Sequence, residues 1–195
     1  MKVDRLDDLI EATLRSEYEA AAKAGSIFIQ STVVAGVAIP ISTTTAPIIA
    51  LWNPSDSGKL AVLLRFIVGY VSGTSVAGAL GLSYSTGIGS AVGTAAPFSA
   101  FNKVTPINGL VGRGAASRMN SSSAATNTMT TAGTWFYTML GESALIATTA
   151  MNPYSAEHDF KGGLIVPPGV EVHVTGSAAS GALLTQTLIW KEIDG

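Results

Sequence analysis

The sequence predicts an all-β protein, an antiparallel β-sandwich of about eight strands with a helical arm at its N-terminus. Turn signals rich in Gly, Pro, Asn and Ser recur about every 8–15 residues after Gly25, as in sandwiches. The segments between these turns are rich in β-branched residues. No helical patterns alternate with them, which argues against a parallel α/β sheet. We therefore expect residues 1–25 to form the arm and residues 26–195 to form the sandwich.

The amino-acid composition excludes several classes of function. The chain has 195 residues, of which 47% are hydrophobic and 12% are charged, and it has no cysteine. Without cysteine there is no disulfide, no thiolate-ligated metal and no thiol nucleophile. Eleven basic residues stand against 13 acidic ones, so we expect no nucleic-acid partner. The low charge predicts that other subunits cover part of the surface.

The arm is predicted from an apolar stripe. Leu6, Ile10 and Leu14 recur at the i, i+4 spacing of a helix that extends from Asp4 to residue 24. Asp4 can cap its first turn, and Gly25 can end it. We expect this helix to dock on a neighbouring subunit or on its own sheet, and a solvated helical arm stays open as the alternative.

No signal peptide and no membrane partner are expected. The first eight residues include three aspartates where a signal peptide needs an apolar run. The segment 60–82 is long enough to span a bilayer, but it contains Arg65 and alternates at period two. We predict that it begins with a strand that has one apolar face, made of Leu60, Val62, Leu64, Phe66, Val68 and Tyr70.

Further strands follow from β-rich segments and the turns between them. The segments predicted as strands are 26–38, 46–52, 60–71, 79–85, 132–140, 143–148, 162–166, 170–176 and 182–193. The cluster Asn53–Gly58 and the triplet Pro167-Pro168-Gly169 predict turns. We expect a long excursion at about 97–128, which orders against something else, and a loop from Asn152 to Lys161.

The polar residues form no catalytic constellation. Glu157, His158 and Asp159 are adjacent and are expected in a solvated loop. His173 alternates with valines, so we expect it on a wet sheet face or at a subunit contact. There is no G-x-S-x-G nucleophile elbow and no phosphate-binding loop. We therefore predict no enzyme activity, no catalytic residue, no cofactor and no metal.

The candidate site residues are instead interface residues. Trp135, Phe136 and Tyr137 are consecutive on a predicted strand, so Phe136 should point away from its two neighbours. All three cannot lie inside one core, and at least one should meet another chain or a loop. The predicted interface consists of Leu6, Ile10, Leu14, Trp135, Phe136 and Tyr137.

Two regions resemble jelly-roll virion proteins of tailed bacteriophages. The first is Leu51-Trp52-Asn53-Pro54 with Ser57-Gly58-Lys59 and the strand 64–74, and the second is 163–169 with 187–192. The resemblance implies a jelly-roll sandwich and a capsid decoration, cement, head-fibre or other minor head protein. It implies no catalytic residues. It also implies a homo-oligomer, a trimer in this class, which binds the major capsid protein or other virion proteins and is located in the virion after assembly in the host cytoplasm.

A second function stays open at this point. The chain can also be a receptor- or carbohydrate-binding jelly-roll module of a phage particle, with the excursion at about 97–128 as its recognition surface. Binding to glycans or host cells would favour that alternative. Binding to empty phage heads alone would favour the structural one.

Overall fold

The computed structural model describes residues 21–22, 24–86, 119–123, 129, 131–142 and 155–195. This part of the chain contains nine β-strands. They are β1 (Ile27–Ser31), β2 (Ile49–Asn53), β3 (Lys59–Ser72), β4 (Gly78–Ser85), β5 (Asn120–Ser123), β6 (Thr134–Glu142), β7 (Ser155–Val166), β8 (Val170–Gly176) and β9 (Leu183–Asp194).

The strands form two antiparallel sheets that enclose one hydrophobic core. Sheet A has the order β1-β9-β3-β7, and sheet B has the order β5-β2-β8-β4-β6. Both sheets contribute to the core, which includes Phe28, Leu63, Phe66 and Trp190 from sheet A and Leu51, Leu82, Val172 and Val174 from sheet B. The predicted all-β sandwich is therefore confirmed.

The centre of the core is aromatic. Phe28 of β1 and Trp190 of β9 are paired across their strands, and their ring centroids are 5.9 Å apart in a stacked arrangement. Trp190 is fully buried. Large aromatic side chains bury the most apolar area per residue, so this pair anchors the edge strand β1 to its neighbour.

A β-bulge divides β3 into two halves: odd-numbered residues face the core before the bulge, and even-numbered residues face it afterwards. The pairing of β3 with β9 shifts between Leu63, which lies opposite Trp190, and Arg65, which lies opposite Ile189. A bulge inserts one residue and reverses the alternation beyond it. The prediction of one continuous apolar face from Leu60 to Tyr70 is therefore wrong. Before the bulge Ala61 and Leu63 face the core, and after it Phe66 and Val68 do.

The first predicted strand is shorter than expected. β1 ends at Ser31, and the rest of the segment 26–38 makes only an isolated bridge between Val37 and Leu184. A turn intervenes, in which the Gly36 amide donates to the Val33 carbonyl and Gly36 has φ of 75°. The β-branched composition of the segment did not reveal this turn.

The prediction of a loop from Asn152 to Lys161 is wrong from Ser155 onward, because β7 begins at that residue. Its charged residues Glu157 and Asp159 lie on an edge strand that pairs with β3 on one side. Edge strands tolerate charges on their open side. A second irregularity follows, where Lys161 and Gly162 have φ of 51° and 69°.

Other predictions fall partly outside the described residues. Within the excursion expected at about 97–128, Asn120–Ser123 is a strand that pairs with β2, and residues 97–118 are outside the description. The strand predicted at 143–148 is also outside it. Of the helical arm, only Ala21 and Ala22 are described as helical, and residues 1–20 are not described.

No described helix is long and apolar enough to cross a bilayer. The segment 60–82, whose length fitted a membrane span, instead contains most of β3 and the start of β4.

Both predicted turns are present, and Asn53 links them. The Asn53 side-chain amide donates to the carbonyls of Lys59 at 2.8 Å and Val166 at 2.9 Å. Its carbonyl oxygen accepts a hydrogen bond from the Ser57 hydroxyl at 2.5 Å. The Asn53 main-chain carbonyl accepts from the Gly169 amide in the second turn. A fully buried asparagine thus satisfies acceptors in β3 and β7 at once.

We predict that Asn53→Ala lowers the free energy of unfolding by about 2–4 kcal/mol. The substitution removes the two hydrogen bonds that the Asn53 side chain donates to the Lys59 and Val166 carbonyls and the one that it accepts from the Ser57 hydroxyl. A buried group left unsatisfied costs about 1–3 kcal/mol before relaxation. Urea unfolding measures the change. The control Asp56→Ala changes an exposed residue of the same turn and should stay within about 0.5 kcal/mol of wild type. Equal effects of the two variants would contradict the role of Asn53.

Candidate functional site

On the central strand β8 of sheet B, the side chains that point away from the core are buried. Along β8, Val172 and Val174 face the core, and Glu171, His173 and Thr175 alternate with them. All three polar side chains are 0% exposed. The prediction that His173 lies on a wet face or at a subunit contact is therefore wrong for this structure. Both faces of β8 are buried.

Glu171 and His173 form a buried pair. The His173 Nδ1 atom lies 2.9 Å from both carboxylate oxygens of Glu171. Their i, i+2 spacing on a strand places the two side chains next to each other on one face. The His173 Nε2 atom is buried, and in the described structure it has no hydrogen-bond partner.

A segment from outside the strands covers the pair. A β-carbon added to Gly133 would lie 2.4 Å from His173 Cε1 and 3.1 Å from Nε2, so the Gly133 backbone rests against the imidazole. On the neighbouring strands, Ala50 and Ser83 are the register partners of His173. Small residues on both sides leave room for the histidine ring.

Burial sets the electrostatics of the pair. Removal from water raises the pKa of the Glu171 carboxyl, and the charge and hydrogen bond of His173 oppose that rise. A buried charge without a partner costs several kcal/mol, so each group of the pair stabilises the other in this site.

Both side chains of the pair are fully buried in the described structure. The hydroxyl of Ser83, on the adjacent strand, lies 3.0 Å from Thr175 Oγ1. In the described part of the chain, no group of three or more His, Asp or Glu residues could hold a metal ion. The arrangement can order the sheet and respond to pH.

Sequence reasoning missed this pair, although one signal for it was present. A Glu-x-His sequence on an alternating strand predicts adjacent side chains. The structure places Gly133, which is about 40 residues distant in the chain, against the imidazole of His173, and no local pattern reveals such a contact.

His158 also lies on a strand and not in a solvated loop. It is half-buried on β7, and its Nε2 atom is 3.1 Å from the Tyr137 hydroxyl. Its ring makes edge contacts with Tyr137 at 5.5 Å and with Phe160 at 4.9 Å between centroids. These contacts join β6 and β7, the edge strands of the two sheets.

The aromatic triplet of β6 is split differently from the prediction. The pairing of β4 with β6 shifts so that Tyr137 lies opposite Leu82 and Trp135 lies opposite Ser83. Because Leu82 and Ser83 are consecutive, Tyr137 and Trp135 point to opposite faces. Tyr137 packs on the core, and the Trp135 ring lies over Gly81 on the outer face.

Phe136 is the exposed member of the triplet. It is 42% exposed, and its ring meets that of Tyr84, which is 37% exposed, at 5.5 Å and 86°. We call these two residues the aromatic patch. Whether Trp135, Phe136 or Tyr137 contacts another chain stays a prediction.

A second exposed apolar surface lies at the end of β3. Val33 and Val34 are 60% and 89% exposed, and they precede Gly36, where an added β-carbon would lie 3.0 Å from Val71 Cγ2. Leu183, also exposed, adjoins the same glycine. We call Val33, Val34, Val71 and Leu183 the valine patch. The other predicted interface residues, Leu6, Ile10 and Leu14, lie outside the described residues.

Comparison with known proteins does not assign a family. No family model matches the chain, and no curated protein matches it. A search of solved structures finds a chain from the structure of infectious bursal disease virus Gx strain, with 14% sequence identity and a TM-score of 0.16. That alignment covers 89% of this chain and 30% of the viral chain. At this TM-score the likeness carries no argument about fold or function.

We predict that Gly133→Ala destabilises the protein by about 1–3 kcal/mol, the usual range for overpacking. The added methyl group would lie 2.4 Å from His173 Cε1 and force the covering segment or the ring to move. Gly141→Ala is the matched control, because a β-carbon at Gly141 meets nothing within 4 Å. Thermal unfolding measures both, and equal midpoints would contradict the contact.

We predict that Glu171→Gln gains stability relative to wild type as the pH rises. Because the folded-state pKa of Glu171 is raised, its contribution is complete below the unfolded-state pKa near 4.5 and is lost as the pH rises through the folded-state pKa. Glutamine keeps the shape and does not ionise. Urea midpoints from about pH 4 to about pH 8 measure the difference.

The control for that titration is Glu157→Gln, which removes one carboxyl from an exposed position. If the difference between Glu171→Gln and wild type did not change with pH, or fell as the pH rose, the buried carboxyl would not have a raised pKa.

Proposed function

We propose that the sandwich is a jelly roll and that the protein is a structural component of a tailed-phage particle. In this proposal it is a capsid decoration, cement or minor head protein. It associates with copies of itself and docks on the major capsid protein or another virion protein. It is located in the virion, which is assembled in the host cytoplasm.

The order of the strands in the two sheets supports the proposal that the fold is a jelly roll. Without β5, which adds to one edge, the sheets have the orders β1-β9-β3-β7 and β2-β8-β4-β6. The first four strands alternate between the sheets, and so do the last four of these eight. Two interleaved Greek-key sets of four strands are typical of jelly rolls, a fold that includes viral capsid and lectin domains.

The surface supports the self-association part of the proposal. The valine patch and the aromatic patch expose large apolar side chains that water solvates poorly. In a closed ring of subunits, each subunit can bury such apolar surfaces against its two neighbours. The ring that we propose is a cyclic trimer. Each buried Å² of apolar area contributes roughly 25 cal/mol to such a contact.

The decisive experiment examines purified particles of the phage that encodes the chain. Mass spectrometry of these particles should detect the chain at a fixed ratio to the major capsid protein, and antibodies against it should label the head. Absence from the particles would overturn the proposal. Labelling of the tail tip together with binding to glycans or host cells would replace it with the receptor-binding alternative.

We predict that Val34→Asp lowers the mass of the assembly in solution without unfolding the subunit. Val34 is 89% exposed, so a charge there costs the isolated subunit no more than about 0.5 kcal/mol but opposes burial in a contact. Light scattering after size exclusion measures the mass. The control Ile165→Asp places the same charge on another exposed aliphatic residue, at the opposite end of β3. A monomeric wild type would contradict self-association.

A further inference from the structure

The outer face of sheet A carries an apolar groove with a charged rim. Its volume is about 320 Å³, and its described lining residues are Ile27, Leu64, Arg65, Asp159 and Ile189. Leu64 follows the core residue Leu63 and faces outward, and the bulge in β3 turns Arg65 to the same face, where it lies opposite Ile189. Arg65 is paired with Glu157 at 3.5 Å, which leaves the floor of the groove apolar.

The described end of the N-terminal segment lies beside this groove. Ala21 and Ala22 have helical backbone, and Ala21 is 7% exposed where it packs with Ile27 and Leu64. The Ser26 amide and hydroxyl both donate to the Ala21 carbonyl at 3.0 Å. The Gly25 amide donates to the Ala22 carbonyl, and Gly25 has φ of 71°. These bonds satisfy the carbonyls at a helix C-terminus and fix the turn between it and β1.

In the residues that precede Ala21, the apolar side chains recur at a spacing that would place them on the same side of a helix as Ala21. At 100° per residue, Leu6, Ile10, Leu14 and Ala21 fall within about 80° of one another around a helix axis. Ala21 faces the sheet, so a helix that continues from it toward the N-terminus presents the other three to the same sheet. A helix over residues 4–20 is about 25 Å long, and four strands span about 19 Å.

We propose that this groove is the docking site of the chain's own N-terminal segment, residues 4–20. The occupant is the same chain and not a second copy, because Ala21 already packs on Ile27 and Leu64 of its own sheet. The apolar side of the segment then covers Ile27, Leu64 and Ile189. This docking is independent of the virion proposal, since it requires no other protein.

Hydrogen exchange measured by mass spectrometry tests the docking in the full chain. An isolated helix of this length is marginal in water, so slow exchange in residues 4–20 requires a partner surface. We expect protection in wild type and its loss in the double variant Ile10→Asp with Leu14→Asp. The matched control Ala12→Asp with Ser16→Asp adds the same two charges to the opposite side of the helix and should keep the protection.

A groove variant and a dilution series complete the test. Ile189→Glu should release the segment while exchange in β3 and β8 stays slow, which shows that the sandwich remains folded. Unprotected residues 4–20 in wild type, or equal loss in both double variants, would overturn the proposal. Protection that disappears on dilution to a monomer, as judged by mass, would also overturn it and assign the groove to a second copy.

Discussion

The side-chain alternation of β3 is the constraint on which the rest of the structure depends. This strand of 14 residues lies between β9 and β7 and must keep an apolar face toward the core along its whole length. A strict period of two would turn Phe66 and Val68 outward. The bulge at Leu64 resets the phase: Leu64 stays on the outer face, Arg65 joins it there, and Phe66 and Val68 return to the core. One inserted residue therefore completes the core and places Leu64 and Arg65 side by side on the outer face.

Polar groups are buried where they connect elements that are distant in the chain. Asn53 joins β2 to acceptors in β3 and β7, and the Tyr137–His158 contact joins the edge strands of the two sheets. The Glu171–His173 pair fills the outer face of the central strand β8. Apolar packing alone permits many alignments of two sheets. Directional bonds between named partners favour one of them.

The outer faces of the two sheets are in contact with different segments of the chain, which we call their covers. On sheet B the described cover is the Gly133 backbone, and it lies over the imidazole of His173. On sheet A the described cover is Ala21 and Ala22, and it closes over aliphatic ones. The valine patch and the aromatic patch are among the exposed apolar surfaces of the described residues, and the Gly133 cover lies against the backbone of Tyr84 in the aromatic patch. Contacts with neighbours at these exposed side chains leave the core undisturbed.

The sequence by itself determined the fold class, the two turns and most strands of the sandwich. Period-two alternation and turn chemistry are local properties, so the strands from β8 to β9 and the Asn53–Gly58 turn were predictable. Only the tertiary structure decided the phase of β3, the existence of β5, and the burial of His173. Each of these depends on a partner that is distant in the chain: the register with β9, the edge of β2, and the cover at Gly133. Burial is a property of two surfaces, and a local pattern specifies only one of them.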